Sequence, residues 1–430
     1  MRLMSDEEKF DAIIVGAGPA GSACAYLLAK AGKSVLVIER GTSAGSKNLT
    51  GGRLYTYALE LVEPGLYTQA PLERKVVREQ IMMLGESSGV TIDYVDYSFK
   101  ADIPQSYTVL RAHFDEWFAG QAEEQGAMVA SGIRVDDLLI KDGKVVGVKA
   151  GEDEMFADIV IGADGVNSFM AQKAGLCNDI TTQMVGVGIK EIIELPADTI
   201  QKRFNLAPDE GTARVILGCT EGIQGGGFLY TNKDSVSLGI VYSPESAAKQ
   251  SKSVQEIYQD LKMHPAIYPL IEGGTTVGYG AHMVPESGLK GVPKKLYRDG
   301  FVVVGDAAGF CINTGTILRG IDLAIVSGVA AARAIISAQT AAEVGPNYVS
   351  ELEKLNLTPT LKLFAGWPEI TSIPRMASAY PQLVNDALKF MFTVDGTVPD
   401  KMPKAMMKIA KKHVSFGQLV ADGWKGVTSI

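Results

Sequence analysis

The stretch FDAIIVGAGPAGSACAYLLAKAGKSVLVIER places Gly16, Gly18 and Gly21 in G-x-G-x-x-G spacing and ends a second apolar run on Glu39. Residues of these types in this order bind a dinucleotide. Gly16 permits a tight turn, Gly18 lets the backbone approach a pyrophosphate, and Gly21 lets a helix lie close on a sheet. Glu39 offers a carboxylate acceptor to the adenosine ribose hydroxyls, which suits NAD or FAD and disfavours the 2′-phosphate of NADP. The elements that must position these groups are legible on either side. Ile13, Ile14 and Val15 form the unbroken apolar run of a central parallel strand. An Ala/Leu-rich helix follows the glycines and turns its free N–H groups and positive dipole end toward the phosphates.

A second chemical signal is FVVVGDAAGFCINTG, Phe301 to Gly315, which reads as a buried strand delivering Asp306 into a turn of small residues. A carboxylate is tolerated there when it accepts hydrogen bonds. A helix N-cap would serve locally, but it leaves unexplained a similar turn in ADIVIGADGVNS, where Asp164 and Gly165 also follow an apolar strand. Further strand–turn units of this kind suit FAD, which is longer than NAD and must be held along its ribityl chain. No second strand–glycine–helix unit follows for another nucleotide, because GCTEGIQGGGFLY joins strand-like segments and opens no helix.

Composition narrows the class. The chain has 430 residues, so two or three domains are expected, and it is 46% hydrophobic and 21% charged, as soluble globular proteins are. A formal net charge of −8 argues against nucleic acid as a partner. Ile321 to Ala338, the best candidate for a spanning segment, carries Asp322 and Arg333. The opening MRLMSDEEKF does not look like a signal peptide, and a cytoplasmic location is expected. Cys24, Cys177, Cys219 and Cys311 are scattered without a C-x-x-C pair, so no metal or iron–sulfur site is expected. The four histidines show no metal-ligand spacing and receive no role. GTSAG at Gly41–Gly45 matches a nucleophile elbow formally, but loop chemistry follows it where a helix is needed, so Ser43 is not expected to be a nucleophile.

GAGPAG with Glu39 and Arg40, VLRAHFD, GADGVNS and GDAAGFCINTG together resemble the flavoprotein superfamily of aromatic hydroxylases and geranylgeranyl reductases. KNLTGGRLY, GGGFLYTN, ILRGIDLAI, and FTVDG followed by GWKGVT narrow this to a resemblance, over nearly the whole chain, to the FixC-type subunit of electron-transfer-flavoprotein:quinone oxidoreductases. The resemblance implies non-covalent FAD. Gly16, Gly18, Pro19, Ala20 and Gly21 would hold the pyrophosphate, with Glu39 and Arg40 at the adenosine end. Arg111 would reach the pyrophosphate, though an arginine near a helix start can also be a plain surface residue. Asp306 would bond a ribityl hydroxyl, with Val135, Asp164, Gly165, Gly305 and Gly315 as further contacts. Gly51 and Gly52 would let the backbone approach the isoalloxazine ring. Arg53 would stabilise reduced flavin or bind a quinone oxygen, with a structural salt bridge as the open alternative. A long helix starting after Gly315 or Gly320 would aim its positive end at the flavin pyrimidine edge.

The expected fold is α/β. A discontinuous Rossmann-like FAD-binding domain would span 1–70, 105–180 and 290–345. A mainly antiparallel β domain on the substrate or quinone side would span 71–104 and 181–289, with helices at about 254–263 and 265–271. Residues 346–430 would form a helical segment. There, Lys401, Lys404, Lys408, Lys411 and Lys412 alternate with Met402, Met406, Met407, Ile409, Val414 and Phe416. This is either a solvated terminal helix or a docking surface for an acidic ferredoxin or anionic lipid.

The resemblance implies an oxidoreductase taking electrons from an electron-transfer flavoprotein or a ferredoxin-like partner and passing them to quinone. Lacking a cysteine cluster, the chain would rely on a small separate iron–sulfur subunit, in a multi-subunit complex of a kind that sometimes bifurcates electrons. Peripheral contact with the inner face of the cytoplasmic membrane would follow. The alternatives are a geranylgeranyl-reductase-like enzyme, an NAD(P)H-dependent flavin hydroxylase and an FAD-binding scaffold without turnover.

Overall fold

The computed structural model describes residues 9–48, 52–177 and 179–429. Gly51, one of the expected cofactor contacts, lies outside them.

Apolar runs with nothing polar to expose became the inner strands of a parallel sheet. Its order is Phe301–Val303, Asp153–Gly162, Phe10–Val15, Val35–Glu39 and Met128–Ser131, with Tyr297–Arg298 on the outer edge. Ile13, Ile14 and Val37 are essentially buried, each contributing roughly 1.5–3 kcal/mol by leaving water. The first helix, Pro19–Lys30, crosses over to the second strand. The long helix Ile321–Ser337 packs against it so closely that a Cβ on Gly328 would lie 2.2 Å from the Ala20 carbonyl oxygen. The long helix begins after Gly320, the second of the two expected starts.

The second sheet has nine strands among the described residues, in the order Thr275–Pro285, Val185–Glu194, Ser235–Tyr242, Gly225–Thr231, Glu210–Leu217, Leu72–Leu84, Ser106–Val109 and Arg53–Tyr55, with Gly89–Val95 beside Leu72–Leu84. It is antiparallel except where Leu72–Leu84 runs parallel to Glu210–Leu217. Two of its strands, Arg53–Tyr55 and Ser106–Val109, come from stretches assigned above to the FAD-binding domain. They pair with each other and the latter with Leu72–Leu84, a non-local pairing that strands of three and four residues do not announce.

Helices Ala197–Phe204, Val254–Met263 and Tyr268–Ile271 cover one face of this sheet, burying Ile200, Phe204, Tyr258 and Leu261 in a core of their own. Val254–Met263 opens on a capping box between Ser253 and Glu256. The C-terminal segment is helical, as Ala341–Lys354, Leu357–Leu363, Ala379–Phe392, Met402–His413 and Phe416–Ser429. No described helix is long and apolar enough to cross a membrane.

Candidate functional site

A cavity of about 680 Å³ lies between the carboxyl ends of the parallel strands and the second sheet. Ligands bind at this end of open α/β sheets because the helix N-termini and turn backbones converge there. Its walls bring together segments almost three hundred residues apart. The first turn supplies Gly16, Gly18, Pro19 and Ala20, and the second strand's end supplies Glu39 and Arg40. Of the other expected residues, Gly52, Arg53, Arg111, Val135, Asp164, Gly165, Gly305 and Asp306 also line it, and Gly21 and Gly315 do not.

Each glycine of the first turn is held by a different constraint. Gly16 has φ +108°, and a Cβ on it would lie 2.3 Å from the Ala163 carbonyl oxygen. Gly21 does not line the cavity; its missing Cβ lets the helix sit against Gly16, whose carbonyl oxygen would be 2.0 Å away. Gly18 is the helix N-cap, and a Cβ there would meet nothing within 4 Å. Its open side is the cavity.

The charged groups divide along the cavity. Glu39 accepts hydrogen bonds from the backbone N–H of Ala17 at 3.1 Å and from that of Gly41, so its carboxylate is fixed while keeping lone pairs for a ligand. Arg111 is clamped on Asp115 by two bonds of 2.7 Å, and Asp115 is fully buried. Burial pushes the Asp306 carboxyl above its usual range, opposed by the positive Arg111 nearby. Asp164 accepts the Met170 N–H on Oδ2 at 3.0 Å, while its buried Oδ1 has no hydrogen-bond partner.

Burial pushes the Asp164 pKa up to about 6, against the pull of the Met170 N–H and of Arg40. The native state therefore holds this proton more tightly than the unfolded chain does. The stabilising contribution is complete below about pH 4, the unfolded value, and is lost as pH rises through about 6. Across that window the flavin-free chain should lose roughly 3 kcal/mol of stability from this group. Urea melts should show the decline in the parent protein and a flatter profile in Asp164→Asn.

Two expected residues sit differently. Gly315 does not line the cavity; it occupies the turn between Ile312–Asn313 and Leu318–Arg319, donating its N–H to Asn313 Oδ1 at 2.8 Å. Gly320, which caps the long helix, lines the cavity, and a Cβ there would approach Asp306 Oδ1 to 3.9 Å. The shift follows from the small hairpin, which consumes the residues between the turn and the helix. Gly52 lines the cavity, but what its missing Cβ admits is the Tyr230 ring, 2.3 Å from where that atom would be.

Arg53 is engaged as an ion pair, the alternative left open above. Its Nη1 bonds Glu79 Oε2 at 3.0 Å, its Nη2 bonds the other carboxylate oxygen, and its Nε bonds Ser106 Oγ at 3.0 Å. His282, given no role from sequence, lines the cavity. Burial first, then Arg111 and Arg40, hold its pKa below the usual imidazole value. No sequence signal singled it out, because the end of its strand lines the cavity with every residue from Ala281 to Pro285 and not by alternation. Phe228, Tyr230, Val241 and Met283 give the second-sheet wall its apolar character.

These groups fit FAD. Cationic Arg111 with the first helix's N–H groups suits a pyrophosphate, Arg40 lies beside Glu39 at the wall expected to face the adenosine end, acceptors at Glu39 and Asp306 suit hydroxyls, and the orphaned Asp164 Oδ1 and the open side of Gly18 leave places for a ligand's atoms. Among the described residues no cluster of His, Cys, Asp and Glu is placed to hold a metal.

Comparison with known proteins agrees with this geometry. A model for an FAD binding domain matches residues 9–206, one described as ETF-QO, ubiquinone-binding matches 185–284, and one for the ETF-QO/FixC family C-terminal domain matches 367–430. The chain is 46% identical to Protein FixC of Escherichia coli (strain K12) over 98% of its own length and 99% of that protein's. It is 47% identical to the probable electron transfer flavoprotein-quinone oxidoreductase YdiS of the same strain, over 99% and 100% of the two lengths. A geranylgeranyl bacteriochlorophyll reductase-like protein from Thermoplasma acidophilum superposes with a TM-score of 0.70 over 96% of this chain and 98% of that one, at 21% identity. The flavin-dependent brominase Bmp2 does so at 0.62, over 94% and 98%, at 18% identity. These two likenesses concern the fold alone.

Proposed function

The chain belongs to the ETF-QO/FixC family of FAD-dependent oxidoreductases, and on that premise we propose that it accepts electrons from an electron-transfer flavoprotein and delivers them to a quinone bound against the second sheet. The observation that carries this reading is a single cavity with two unlike walls. One wall has the glycine turns and charges that suit a dinucleotide, and the other, within the stretch matched to the ubiquinone-binding model, is formed by Phe228, Tyr230, Val241 and Met283.

Bound FAD supplies the electron-carrying centre. The chain's own residues do the rest. Arg111 would neutralise pyrophosphate charge, Arg40 would flank the adenosine end, and Asp115 keeps Arg111 aimed. Asp306 and Glu39 orient the ligand by accepting its hydroxyls. Gly320 and Ile321 bring the N-terminal end of the long helix to the cavity wall, where its positive end favours negative charge. The aromatic and aliphatic side chains of the second sheet exclude water and present the surface an apolar quinone ring needs. No side chain is assigned as a general base.

The four cysteines are scattered along the chain without a C-x-x-C pair, so electrons arriving through an iron–sulfur cluster would come from a separate ferredoxin-like subunit, in a complex of the kind that sometimes bifurcates electrons. The C-terminal helices support a docking role for this segment. Phe416, Trp424 and Val427 are 81%, 71% and 78% exposed and follow one face of Phe416–Ser429 at helical spacing, in the helix that follows the lysine-bearing Met402–His413 in the chain. They suit the partner subunit, or peripheral contact with the inner face of the cytoplasmic membrane.

Anaerobic rapid mixing tests the function. The flavin-loaded protein should be reduced by a reduced electron-transfer flavoprotein and reoxidised by a soluble short-chain quinone, and should keep its yellow colour with NADH or NADPH. Bleaching by a nicotinamide nucleotide would instead indicate a hydroxylase, and reduced flavin indifferent to quinone would indicate a scaffold.

A further inference from the structure

A second cavity, of about 340 Å³, opens between the helix Tyr57–Val62, the first turns of Ile321–Ser337 and the junction of Ala341–Lys354 with Leu357–Leu363. Nothing in the reading above uses it. Leu61, Leu323, Val326 and Leu357 form an apolar floor, while Tyr57, Arg319, Lys354 and Asn356 stand at the polar edge. Tyr57 is 40% exposed although its hydroxyl is committed inward, donating to the buried Asp322 Oδ2 at 2.9 Å.

The charge balance says what class of molecule fits. Arg319 bonds Asp322 Oδ2 through Nε at 2.9 Å and Nη2 at 2.6 Å, and Nη2 also reaches the Tyr57 hydroxyl at 3.0 Å. Lys354 is paired with Glu351 at 2.7 Å. Each cation thus already faces a carboxylate, and a free anion would meet a site that is neutral as a whole. Donors nevertheless remain in excess. A guanidinium carries five N–H groups and an ammonium three, more than these bonds consume, and among the described residues no carboxylate lines the cavity. A neutral molecule with an apolar body and carbonyl oxygens satisfies both features, since it fills the floor and accepts the spare N–H groups without bringing charge.

The cavity also adjoins the first. Leu318 and Gly320, on either side of Arg319, line the cavity between the sheets. The Tyr55 ring has the Arg319 guanidinium 5.5 Å from its centroid and that of Arg53, a wall residue of the first cavity, at 4.7 Å. A molecule bonded to Arg319 is therefore one side chain away from the flavin site.

We propose that this second cavity is a binding site for a neutral, largely apolar molecule with carbonyl acceptors, the quinone class, separate from the site between the sheets. The test uses the full-length, flavin-loaded protein irradiated with a short-chain azidobenzoquinone, followed by peptide mapping. Label is expected on the segment 354–363. Thr360→Trp, which fills the cavity from its rim, should reduce that label about tenfold or more, the scale of one well-placed contact, with flavin content unchanged. Lys354→Met, on the exposed edge, should weaken it less. The proposal is overturned if the parent protein takes no label there, if Thr360→Trp labels as the parent does, or if octanoate displaces the label where a neutral benzoquinone does not. Label on peptides carrying Phe228 or Met283 reports on the first cavity, so the two readings fail separately.

Discussion

Gly18→Leu is expected to yield a folded protein that purifies without flavin. Gly18 has φ −73° and ψ 179°, a conformation open to any L-residue, and a Cβ added there touches nothing. The backbone thus has no objection to a side chain. The objection comes from the ligand, because a leucine would fill the space at the helix N-terminus that a pyrophosphate must enter. Affinity for FAD should drop by about 100-fold or more, near 2.7 kcal/mol, with little change in the melting of the flavin-free protein. Gly16→Ala provides the contrast. There φ is +108° and the new Cβ would meet the Ala163 carbonyl oxygen at 2.3 Å, so stability itself should fall. Absorbance at the flavin maximum after dialysis and a thermal melt separate the two outcomes. Stoichiometric flavin retained by Gly18→Leu would remove the first turn from the cofactor site.

Arg74→Met should be the most damaging substitution away from the cavity. Arg74 is 1% exposed, and its bonds go to backbone carbonyls. Nε bonds that of Asn232, Nη1 those of Pro208 and Glu210 at 2.9 and 3.3 Å, and Nη2 that of Lys233 at 2.8 Å. The guanidinium fork ties the strand Leu72–Leu84 to the turn that opens Glu210–Leu217 and to the turn that joins Gly225–Thr231 to Ser235–Tyr242. Methionine keeps much of the volume and removes every donor, leaving these carbonyls unsatisfied at about 1–3 kcal/mol for each one that water cannot reach. A total near 3–5 kcal/mol is expected from that mechanism. It would be read as a lower urea midpoint at unchanged slope. Arg74→Lys should rescue little, because one ammonium cannot reach carbonyls spread around a planar fork. A loss below about 1 kcal/mol would show that those carbonyls find other donors.

Residues near each other in the chain made much of the site legible. Gly16, Gly18, Gly21 and Glu39 belong to one strand–helix–strand unit, whose spacing alone pointed to a dinucleotide site, and Gly16, Gly18 and Glu39 do line one cavity. The turns carrying Asp164 and Asp306 were likewise visible, each as an acid after an apolar strand. Gly315 and Gly320 show the limit of such local reading. Both are glycines shortly before a helix, and which one reaches the cavity depends on the hairpin Ile312–Asn313 with Leu318–Arg319. Arg53 was undecided for the same reason, since its partner Glu79 lies on a strand that only the second sheet brings beside it.

What the amino-acid order determined by itself was the set of parts: buried parallel strands, glycine turns, the carboxylates Glu39, Asp164 and Asp306 at strand ends, and a helical, lysine-rich C-terminal segment. These follow from constraints that act within a few residues, namely steric room at Cα, hydrophobic periodicity and the free N–H groups of helix ends. Only the tertiary structure decided that His282, Tyr230 and Gly320 share one cavity, that Arg53 is spent on Glu79, and that Arg319 stands between two cavities. Those pairings join strands and helices distant in the chain. Their register is set by burying whole faces together, a cooperative condition that no local stretch contains.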